Sequence, residues 1–370
     1  MPDLVLRLDG FDIEGWTAIS VNRSLDQLAD TFDLQLTTEL SSRPAPVPIS
    51  EGQACTILYG EDVLLSGYID TVDLSYDATS TSLSVSGRSK AGDLVDCTAL
   101  KPGSRTGGSW KDTSFLTIAN SICEPFGITC YCDLGDPKEA YFKLAEGETC
   151  FSALERLGKD YGLRVVSFPD GDIQYTRTGI DILPDVVIEG GRNVLAGGVT
   201  RDLTERFSDY LFKGQLSASD ETSGGNVNLS HLVQDDGVGR YRPLLIETDE
   251  QVRDIKGKFT SQKNKSPLQL RAEWERNTRA GRSRQLSYEI CDPRDLSLSW
   301  EMPSGHGLWR PNVIVTVLDE FLGIDGQYLV TSVTLVRDAS GTRTSIKLTF
   351  PEAYETELPP RKKAKKGFSW

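Results

Sequence analysis

The sequence contains two short pieces that each recur once, in the same order. Residues 21–25 (VNRSL) return as residues 199–203 (VTRDL), and residues 69–74 (IDTVDL) return as residues 330–335 (VTSVTL). Chance similarity between β-rich stretches is the simpler alternative, because such stretches share valines and threonines anyway. The common order of the two pieces favours an internal repeat, which restricts the chain to an architecture with two related domains.

The two copies differ in the spacing between their pieces. The pieces start 48 residues apart in the first copy (21 to 69) and 131 residues apart in the second (199 to 330), an excess of 83. Phe32 and Tyr210, each eleven residues beyond the first valine, extend the match. The excess has about the length of residues 219–304. We therefore expect the second copy to be split by an inserted domain.

The first hundred residues predict short strands. Residues 4–8 alternate between apolar and polar side chains, and residues 33–36 and 83–85 are similar short β-rich runs. Turn residues separate these runs, and three prolines between 44 and 48 cannot donate to a β-ladder. This is the pattern of an all-β sandwich or barrel.

From about residue 100 the pattern becomes mixed. Residues 115–122 have helical spacing that ends at Pro125 to Gly127, and Thr149 is placed to cap a second helix. A hairpin is expected around residues 169–171. Ser266 and Pro267 then begin a long helix that runs toward Arg284, and strand patterns return after residue 312.

Taken together, these patterns predict a mainly β fold with α+β insertions. It contains two related antiparallel β-barrel (tube-like) domains and two smaller helix-containing domains. The expected divisions are a first barrel at 1–98, an α+β domain at 99–189, a split second barrel at 190–218 and 305–352, an inserted α+β domain at 219–304, and a basic C-terminal tail at 353–370.

Charge and hydropathy limit the functional class. The formal net charge is −14, and residues 361–370 carry five basic residues and no acid, which leaves −19 for the rest. Such a chain should repel nucleic acid on average, although a local basic patch is compatible with this composition. We see no signal peptide and no run of about 20 apolar residues, so a soluble protein made in the cytoplasm is expected.

The cysteines and histidines do not predict catalysis or metal binding. Seven cysteines are expected to be free, mostly buried thiols, and the C-x-C at Cys130 and Cys132 lacks the spacing of a zinc knuckle. His306 is expected in a loop and His231 beside one. The glycine clusters at 102–109 and 190–198 lack the patterns of phosphate-binding loops. We therefore expect no catalytic, cofactor-binding or metal-binding residues and no cofactor.

Several stretches resemble one protein family. Residues 66–70 and 82–97, which include the stretch GRSKAGDLVDC, are similar to the baseplate hub family of phage Mu and its prophage relatives. Residues 154–157 and 308–312 are similar to the same family, and the resemblance covers nearly the whole chain except about the last dozen residues. This family is T4 hub-like and belongs to the late control D-like superfamily.

The resemblance implies a structural virion component rather than an enzyme. It implies a homotrimeric ring in the tail baseplate, joining the hexameric tail tube to the trimeric spike around a channel through which DNA passes without specific binding. The expected partners are a separate central spike protein, tail tube or tube-initiator proteins, and baseplate wedge proteins, with assembly in the host bacterial cytoplasm. A tail-associated cell-wall hydrolase and a carbohydrate-binding tail protein are the alternatives.

The basic tail has two interpretations. Residues 359–370 combine two prolines, five basic residues, Phe368 and Trp370, a poor composition for an independent core. One interpretation is a disordered, solubilising end. The other is a segment that docks on an acidic neighbouring surface, with Trp370 as its apolar anchor.

Overall fold

The structure, a computed structural model, describes residues 4–39, 49–103, 107–133, 135–159, 161–216, 227–248 and 267–354. The helices are α1 (Ala91–Asp96), α2 (Phe115–Cys123), α3 (Cys150–Lys159) and α4 (Pro267–Arg282). The strands are β1 (Leu4–Leu8), β2 (Phe11–Ile13), β3 (Ala18–Ser24), β4 (Thr31–Glu39), β5 (Ala54–Tyr59), β6 (Asp62–Tyr76), β7 (Ser80–Ser89), β8 (Ser109–Ser114), β9 (Cys130–Cys132), β10 (Lys138–Lys143), β11 (Arg164–Ser167), β12 (Ile173–Thr176), β13 (Asp181–Glu189), β14 (Val194–Arg201), β15 (Asp209–Leu216), β16 (Val227–Gln234), β17 (Pro243–Thr248), β18 (Arg284–Ile290), β19 (Val313–Asp319), β20 (Ile324–Asp338) and β21 (Gly341–Thr349).

The chain divides into two compact units. The first unit comprises Met1–Val199 and Leu286–Leu348, and the second comprises Thr200–Gln285 and Thr349–Trp370. The first unit holds most of a 13-stranded sheet together with a smaller helical region. No helix among the described residues is both long and apolar enough to cross a membrane.

The large sheet repeats one strand order twice. Its first half runs β3-β4-β7-β6-β5, and its second half runs β14-β18-β21-β20-β19. In both halves the strands follow one another across the sheet as the first, second, fifth, fourth and third in chain order. One further strand flanks each half, but β1 lies antiparallel to β5 whereas β13 lies parallel to β19. The shared strand order supports the internal repeat, with residues 21 and 199 on matching strands and residues 72 and 333 on matching strands.

A single long strand joins the two halves. The first part of β20, from Ile324 to Leu329, pairs with β19. Its second part pairs antiparallel with β3, where Leu335 faces Val21. Both of these side chains are buried. The two halves therefore form one continuous sheet within a single chain.

The strand pairing corrects the expected boundaries of the inserted segment. Strand β18 belongs to the large sheet, because it pairs with β21 as β4 pairs with β7. Strand β15 belongs to a separate three-stranded sheet, so Tyr210 is not the counterpart of Phe32. By pairing, the segment that interrupts the second half lies between β14 and β18. An insertion at 219–304 therefore starts too late and ends too late.

The helical region of the first unit, residues 91–177, is built around one apolar cluster. Helices α2 and α3 contribute Phe115, Ile118, Leu154 and Leu157, all buried. The caps expected from the sequence are confirmed: α2 ends in a 3₁₀ turn closed by left-handed Gly127. The Thr149 hydroxyl accepts a hydrogen bond from the Ser152 amide at 3.2 Å.

The second unit contains a helix packed on a small sheet. Strand β15 pairs antiparallel with β16 and parallel with β17, and α4 contacts β15 and β16. The buried apolar residues of this cluster, within the described part of the unit, are Tyr210, Phe212, Val233 and Ala272. His231 lies within β16 opposite Phe212, so its expected place beside a loop is wrong.

These elements confirm the expected mainly β class with α+β additions. The large sheet is antiparallel apart from the β13–β19 pair. Its pairings run from β14 to β2, and among the described strands these two ends do not meet. Each half is therefore an open, curved set of strands in a single chain.

Candidate assembly surface

The stretch from Gly87 to Cys97 is a structural motif. A side chain at Gly87 would place its Cβ 2.1 Å from the carbonyl oxygen of Tyr68 and 2.7 Å from the Phe32 ring. No residue larger than glycine fits such an approach. Ala91 and Leu94 of the following helix α1 are buried against the core of the helical region. The motif thus fixes how the first half of the sheet meets that region.

Arg88 in the same motif ties a strand to a helix. Its guanidinium donates to Asp70 on β6 and to Asp96 at the end of α1, both at 2.8 Å. The hydrogen bonds that Arg88 donates to Asp96 and Asp70 raise the pKa of Arg88, and the one to Asp96 lowers the pKa of that carboxyl. These contacts fix the Arg88 side chain between β6 and α1.

The other stretch that resembles the hub family, residues 308–312, supports the start of β19. Trp309 is buried, and its amide donates to the carbonyl of Trp300 at 2.9 Å. The Asn312 side chain accepts from the Gly179 amide at 2.8 Å and donates to the Arg177 carbonyl at 3.2 Å. These contacts hold the strand entry against the end of the helical region.

Two strand edges of the large sheet are uncovered within the described part of the chain. Residues 70–76 of β6 pair with β7 on one side and have no strand on the other. Leu74 and Tyr76 on this stretch are 71% and 83% exposed. Strand β14 pairs with β18 on one side only, and its Leu195 is 56% exposed. Open edges of this kind are templates for pairing with another chain.

An exposed apolar side chain also marks a turn. Phe321, between β19 and β20, is 96% exposed. The groups around it are backbone turns and the buried carboxylate of Asp319, which accepts from the Leu322 amide at 3.0 Å. A single exposed apolar side chain is normal on a protein surface, so Phe321 does not by itself mark an assembly contact.

Several titratable groups of the described residues are engaged in structural contacts. His306 lies in a loop, as expected, and contacts Asp185 at 2.8 Å, which lowers the pKa of that carboxyl. Burial and the neighbouring Asp319 raise the pKa of the Tyr288 hydroxyl, which donates to that carboxylate at 3.1 Å. The Ser304 side chain also hydrogen-bonds Asp185, and this contact contributes to the lowered pKa of that carboxyl.

All seven cysteines are free thiols, of which four are buried and three are partly buried. Cys123, Cys130 and Cys150 are buried, and burial raises the pKa of Cys130 to about 12 and of Cys150 to about 11. Neutral thiols of this kind are poor nucleophiles and poor metal ligands. The described residues contain no group of three or more His, Cys, Asp or Glu that could hold a metal ion.

Two open grooves complete the surface. One, of about 300 Å³, is lined by strands of the large sheet and includes Gly197, Tyr288 and Lys347. The other, of about 570 Å³, lies in the second unit and is lined in part by Arg201 and Arg206. Arg206 is engaged with Asp235 through two hydrogen bonds of 2.7 and 2.9 Å. The positive charge of Arg206 in the second groove is therefore balanced by Asp235.

The edges and their exposed side chains were not predicted from the sequence. The alternation of Val72 and Leu74 predicts a strand with one apolar face, and it does not show which edge lacks a partner. That information comes only from the pairing of β6 with β7 and β5. The basic tail lies at 353–370, and its residues from 355 onward fall outside the described part.

Three family models match successive parts of the chain. Residues 3–89 match the N-terminal domain of Mu phage baseplate assembly protein GpP-like proteins, and residues 91–177 match the second domain of baseplate hub protein gp44-like proteins. Residues 265–357 match the fourth domain of Mu phage baseplate assembly protein GpP. The three matches follow the order of the chain.

Similar whole proteins agree with these matches. The chain is 29% identical over 380 residues to the baseplate hub protein gp44 of Escherichia phage Mu, covering 98% of this chain and 92% of that protein. The tail protein of 43 kDa from prophage MuSo2 of Shewanella oneidensis is 30% identical with a TM-score of 0.78, covering 96% of this chain and all of that one (100%). A tail protein from Neisseria meningitidis MC58 shares the fold, at 20% identity and a TM-score of 0.74, with 97% and 99% coverage. The chain therefore belongs to the Mu-type family of phage tail baseplate hub proteins.

Proposed function

We propose that this baseplate hub protein works as a homotrimeric ring that joins the hexameric tail tube to the trimeric spike. The observation that carries the proposal is the doubled strand order of the large sheet. Three copies of a chain with two similar halves present six similar units. A six-fold tube and a three-fold spike can both bind such a ring, each through its own symmetry.

The halves are similar without being identical, which the proposed role requires. The second half is interrupted between β14 and β18 by the sheet β16-β15-β17 and helix α4. The first half is instead followed by the helical region at residues 91–177. These unlike additions give one side of the ring three-fold character, while the repeated strands give the other side near six-fold character.

The proposed partners follow from this geometry. They are a central spike protein on the three-fold side, tail tube or tube-initiator proteins on the six-fold side, and wedge proteins of the baseplate around the rim. DNA passes through the channel without specific binding, in line with the net charge of −14. Assembly takes place in the host bacterial cytoplasm.

The proposed hub is a scaffold rather than an enzyme. Several of its described carboxylates, and His306, are engaged in positioning contacts such as Arg88 with Asp96 and His306 with Asp185. A hydrolase needs a free acid and a free base at the scissile bond. Purified protein should leave peptidoglycan intact in a zymogram, and a cleared band that disappears on mutation of one carboxylate would contradict this role.

The native mass tests the ring itself. Native mass spectrometry at assembly concentrations should give about 122 kDa, three times the 40.7 kDa of one chain. A monomer or a dimer at these concentrations would contradict the proposed function. Electron microscopy of the same sample should show six similar densities around a channel.

A further inference from the structure

Two of the seven cysteines lie opposite each other where helix α1 ends and helix α3 begins. Cys97 is the residue that follows α1, and Cys150 is the first residue of α3. The Cys150 amide donates to the Cys97 carbonyl at 2.9 Å. Beside them, Thr98 and Thr149 form an isolated antiparallel bridge. The two cysteines are therefore neighbours across a short antiparallel ladder.

The side chains of this ladder alternate between its two faces. Thr98 is exposed and Thr149 is partly exposed, whereas Ala99 and Cys150 are buried. Directly opposed residues of an antiparallel pair project to the same face of the ladder. Cys97 therefore projects to the same inner face as Cys150, and it is itself only partly buried.

The hydrogen bond between the two residues limits the distance between their Cα atoms. The Cα–O distance within Cys97 is about 2.4 Å, and the N–Cα bond of Cys150 is about 1.5 Å. Together with the hydrogen bond of 2.9 Å, these lengths place the two Cα atoms at most about 6.8 Å apart. Disulfides span Cα separations of about 4.4–6.8 Å. The backbone thus already holds the two cysteines within the range of a disulfide.

We propose that Cys97 and Cys150 form a disulfide bond when the protein leaves a reducing environment. Both are free thiols in this structure. The bond ties the end of α1 to the start of α3 and closes a loop that contains β8, α2, β9 and β10. The disulfide goes beyond the proposed function. Its timing alone rests on that function, since an assembled tail is exposed to oxidants only after release from the host cytoplasm.

Glutathione disulfide is the class of oxidant that suits this step. The more exposed Cys97, as its thiolate, attacks one sulfur of glutathione disulfide, which forms a mixed disulfide and releases one glutathione thiolate. Cys150 then passes its proton through solvent to a glutathione thiolate, attacks the Cys97 sulfur and displaces the second glutathione. Two protein thiols are thereby oxidised, and one glutathione disulfide is reduced to two glutathione molecules.

The burial of Cys150 makes its attack the slower of the two steps. Burial raises the pKa of the Cys150 thiol to about 11, and the neighbouring Cys97 adds to this rise. The thiolate is the attacking species, and little of it is present at neutral pH. The other buried thiols of the region, Cys123 and Cys130, lie within the apolar cluster. Cys97 is therefore the point at which the oxidant reaches this pair.

Tryptic peptides distinguish this pairing from the other pairings in the helical region. Cys97 lies in peptide 91–105 and Cys150 in peptide 144–156, each with a single cysteine, whereas Cys123, Cys130 and Cys132 share peptide 112–138. The full-length protein is incubated with glutathione disulfide under native conditions, alkylated, and digested without reduction. Mass spectrometry should show peptide 91–105 linked to peptide 144–156. The number of free thiols should fall from seven by two.

The bond should also slow hydrogen exchange in the helical region. A cross-link over a loop of this length lowers the equilibrium constant for unfolding by about thirtyfold or more, because it restricts the unfolded chain. The slowest amides of α2 and α3 should therefore exchange about thirtyfold more slowly after oxidation, and dithiothreitol should reverse the effect. Amides of β16, which lies outside the loop, should be unaffected.

Three variants make the result specific. Cys97→Ser replaces a partly buried thiol and should abolish both the linked peptides and the slower exchange. Cys150→Ala removes the other partner and should do the same. Cys291→Ser is the matched control, because it removes a partly buried thiol outside the loop and should retain both effects. Thermal unfolding of each reduced variant verifies that it is folded.

The outcomes separate this inference from the proposed function. Linkage of either peptide to peptide 112–138, a link between two chains on a non-reducing gel, or seven free thiols after prolonged oxidation would overturn the pairing. Linked peptides without slower exchange would overturn the stabilising effect. Tails purified after host lysis that keep both thiols would overturn the timing. Because the bond lies within one chain, a monomeric protein that forms it would overturn the proposed ring and leave the disulfide in place.

Discussion

The helical region at residues 91–177 and the sheet-and-helix region formed by β15, β16, β17 and α4 are stabilised in different ways. The helical region has a large continuous cluster of buried apolar side chains, contributed by its three helices and several strands. In the sheet-and-helix region the corresponding cluster has four buried members among the described residues. Polar contacts take a larger share there.

Those polar contacts centre on arginines. Arg206 forms a two-pronged ion pair with the buried Asp235, and Arg279 contacts Glu275 at 2.6 Å. The guanidinium groups of Arg242 and Arg279 lie 5.3 and 5.4 Å from the centre of the Phe207 ring. We therefore expect the stability of the helical region to fall mainly when apolar side chains are shortened. The stability of the sheet-and-helix region should fall mainly when charged side chains are removed.

The largest effect is expected from the apolar core. Phe115 is completely buried, and its ring centre lies 4.7 Å from that of Tyr175. Phe115→Ala should lower the free energy of unfolding by about 3–5 kcal/mol, measured by urea denaturation, because it removes apolar contacts and leaves a cavity. Tyr141→Ala removes an exposed aromatic from the same region and should change it by less than about 0.5 kcal/mol. Equal effects of the two variants would show that this core does not govern the region's stability.

The next effect should come from the ion pair. Arg206→Ala leaves the carboxylate of Asp235 buried without its partner and should destabilise the protein by about 2–3 kcal/mol. Hydrogen exchange should accelerate in residues 207–212 and not in residues 115–123. The matched control is Glu205→Ala, whose 84% exposed side chain pairs with Arg279 and contributes little. If Arg206→Ala is as mild as this control, the contrast between the two regions is lost.

A helix cap should have a smaller effect in the helical region. The Ser114 hydroxyl accepts from the Thr117 amide at 3.2 Å at the start of α2. Ser114→Ala should lower the free energy of unfolding by about 1 kcal/mol. Ser121→Ala, which removes only a hydroxyl bonded back to the Ile118 carbonyl, is the control and should be close to neutral. If Ser114→Ala lowered the free energy of unfolding as much as Phe115→Ala, the apolar core would not be the main source of stability in the helical region.

The smallest expected effect is the pH dependence that Asp235 contributes to the stability of the sheet-and-helix region. Burial raises the pKa of Asp235, but hydrogen bonds from Arg206 and the Gly237 amide outweigh it, so the pKa lies below its usual value. The stabilisation is therefore present above the pKa of the unfolded chain, about 3.9, and is lost as the pH falls through the lower folded value.

The variant Asp235→Asn isolates this contribution. Its deficit in unfolding free energy relative to the wild type should be constant above about pH 5 and should shrink below about pH 4. Urea titrations at pH 7 and pH 3 measure the change. A deficit that grows at low pH would show that the carboxyl is stabilised in its protonated form.

Local patterns predicted the helical region well. The cap at Thr149 and the stop at Gly127 depend on residues a few positions apart, and both are present in the structure. The repeat was found because its pieces kept their order. The second strand of its second half, β18, was missed, although Leu286, Tyr288 and Ile290 alternate with polar residues as a strand should. The residues between 203 and 284 separate β18 from β14, the preceding strand of the same half. No local signal in the sequence shows which sheet β18 joins.

No short stretch of the sequence shows which strand edges are free for assembly. Leu335 and Leu74 stand in similar surroundings along the chain, and only the pairing of β20 with β3 separates a buried leucine from an exposed one. Whether an edge has a partner is a property of the whole sheet. Periodicity predicts the face of a strand and leaves its neighbours open.

The pairing of β3 with β20 also determines when the large sheet can be completed during translation. Ser24 and Thr331, which are hydrogen-bonded in the ladder, are 307 residues apart in the chain. At about 5–20 residues per second, β3 leaves the ribosome roughly 15–60 s before its partner strand has been made. Nascent chains that stop before residue 324 should therefore aggregate or bind chaperones more than chains that extend past residue 338. For that interval β3 lacks the strand that pairs with it, and the sheet is completed only when residues about 300 positions later have been made.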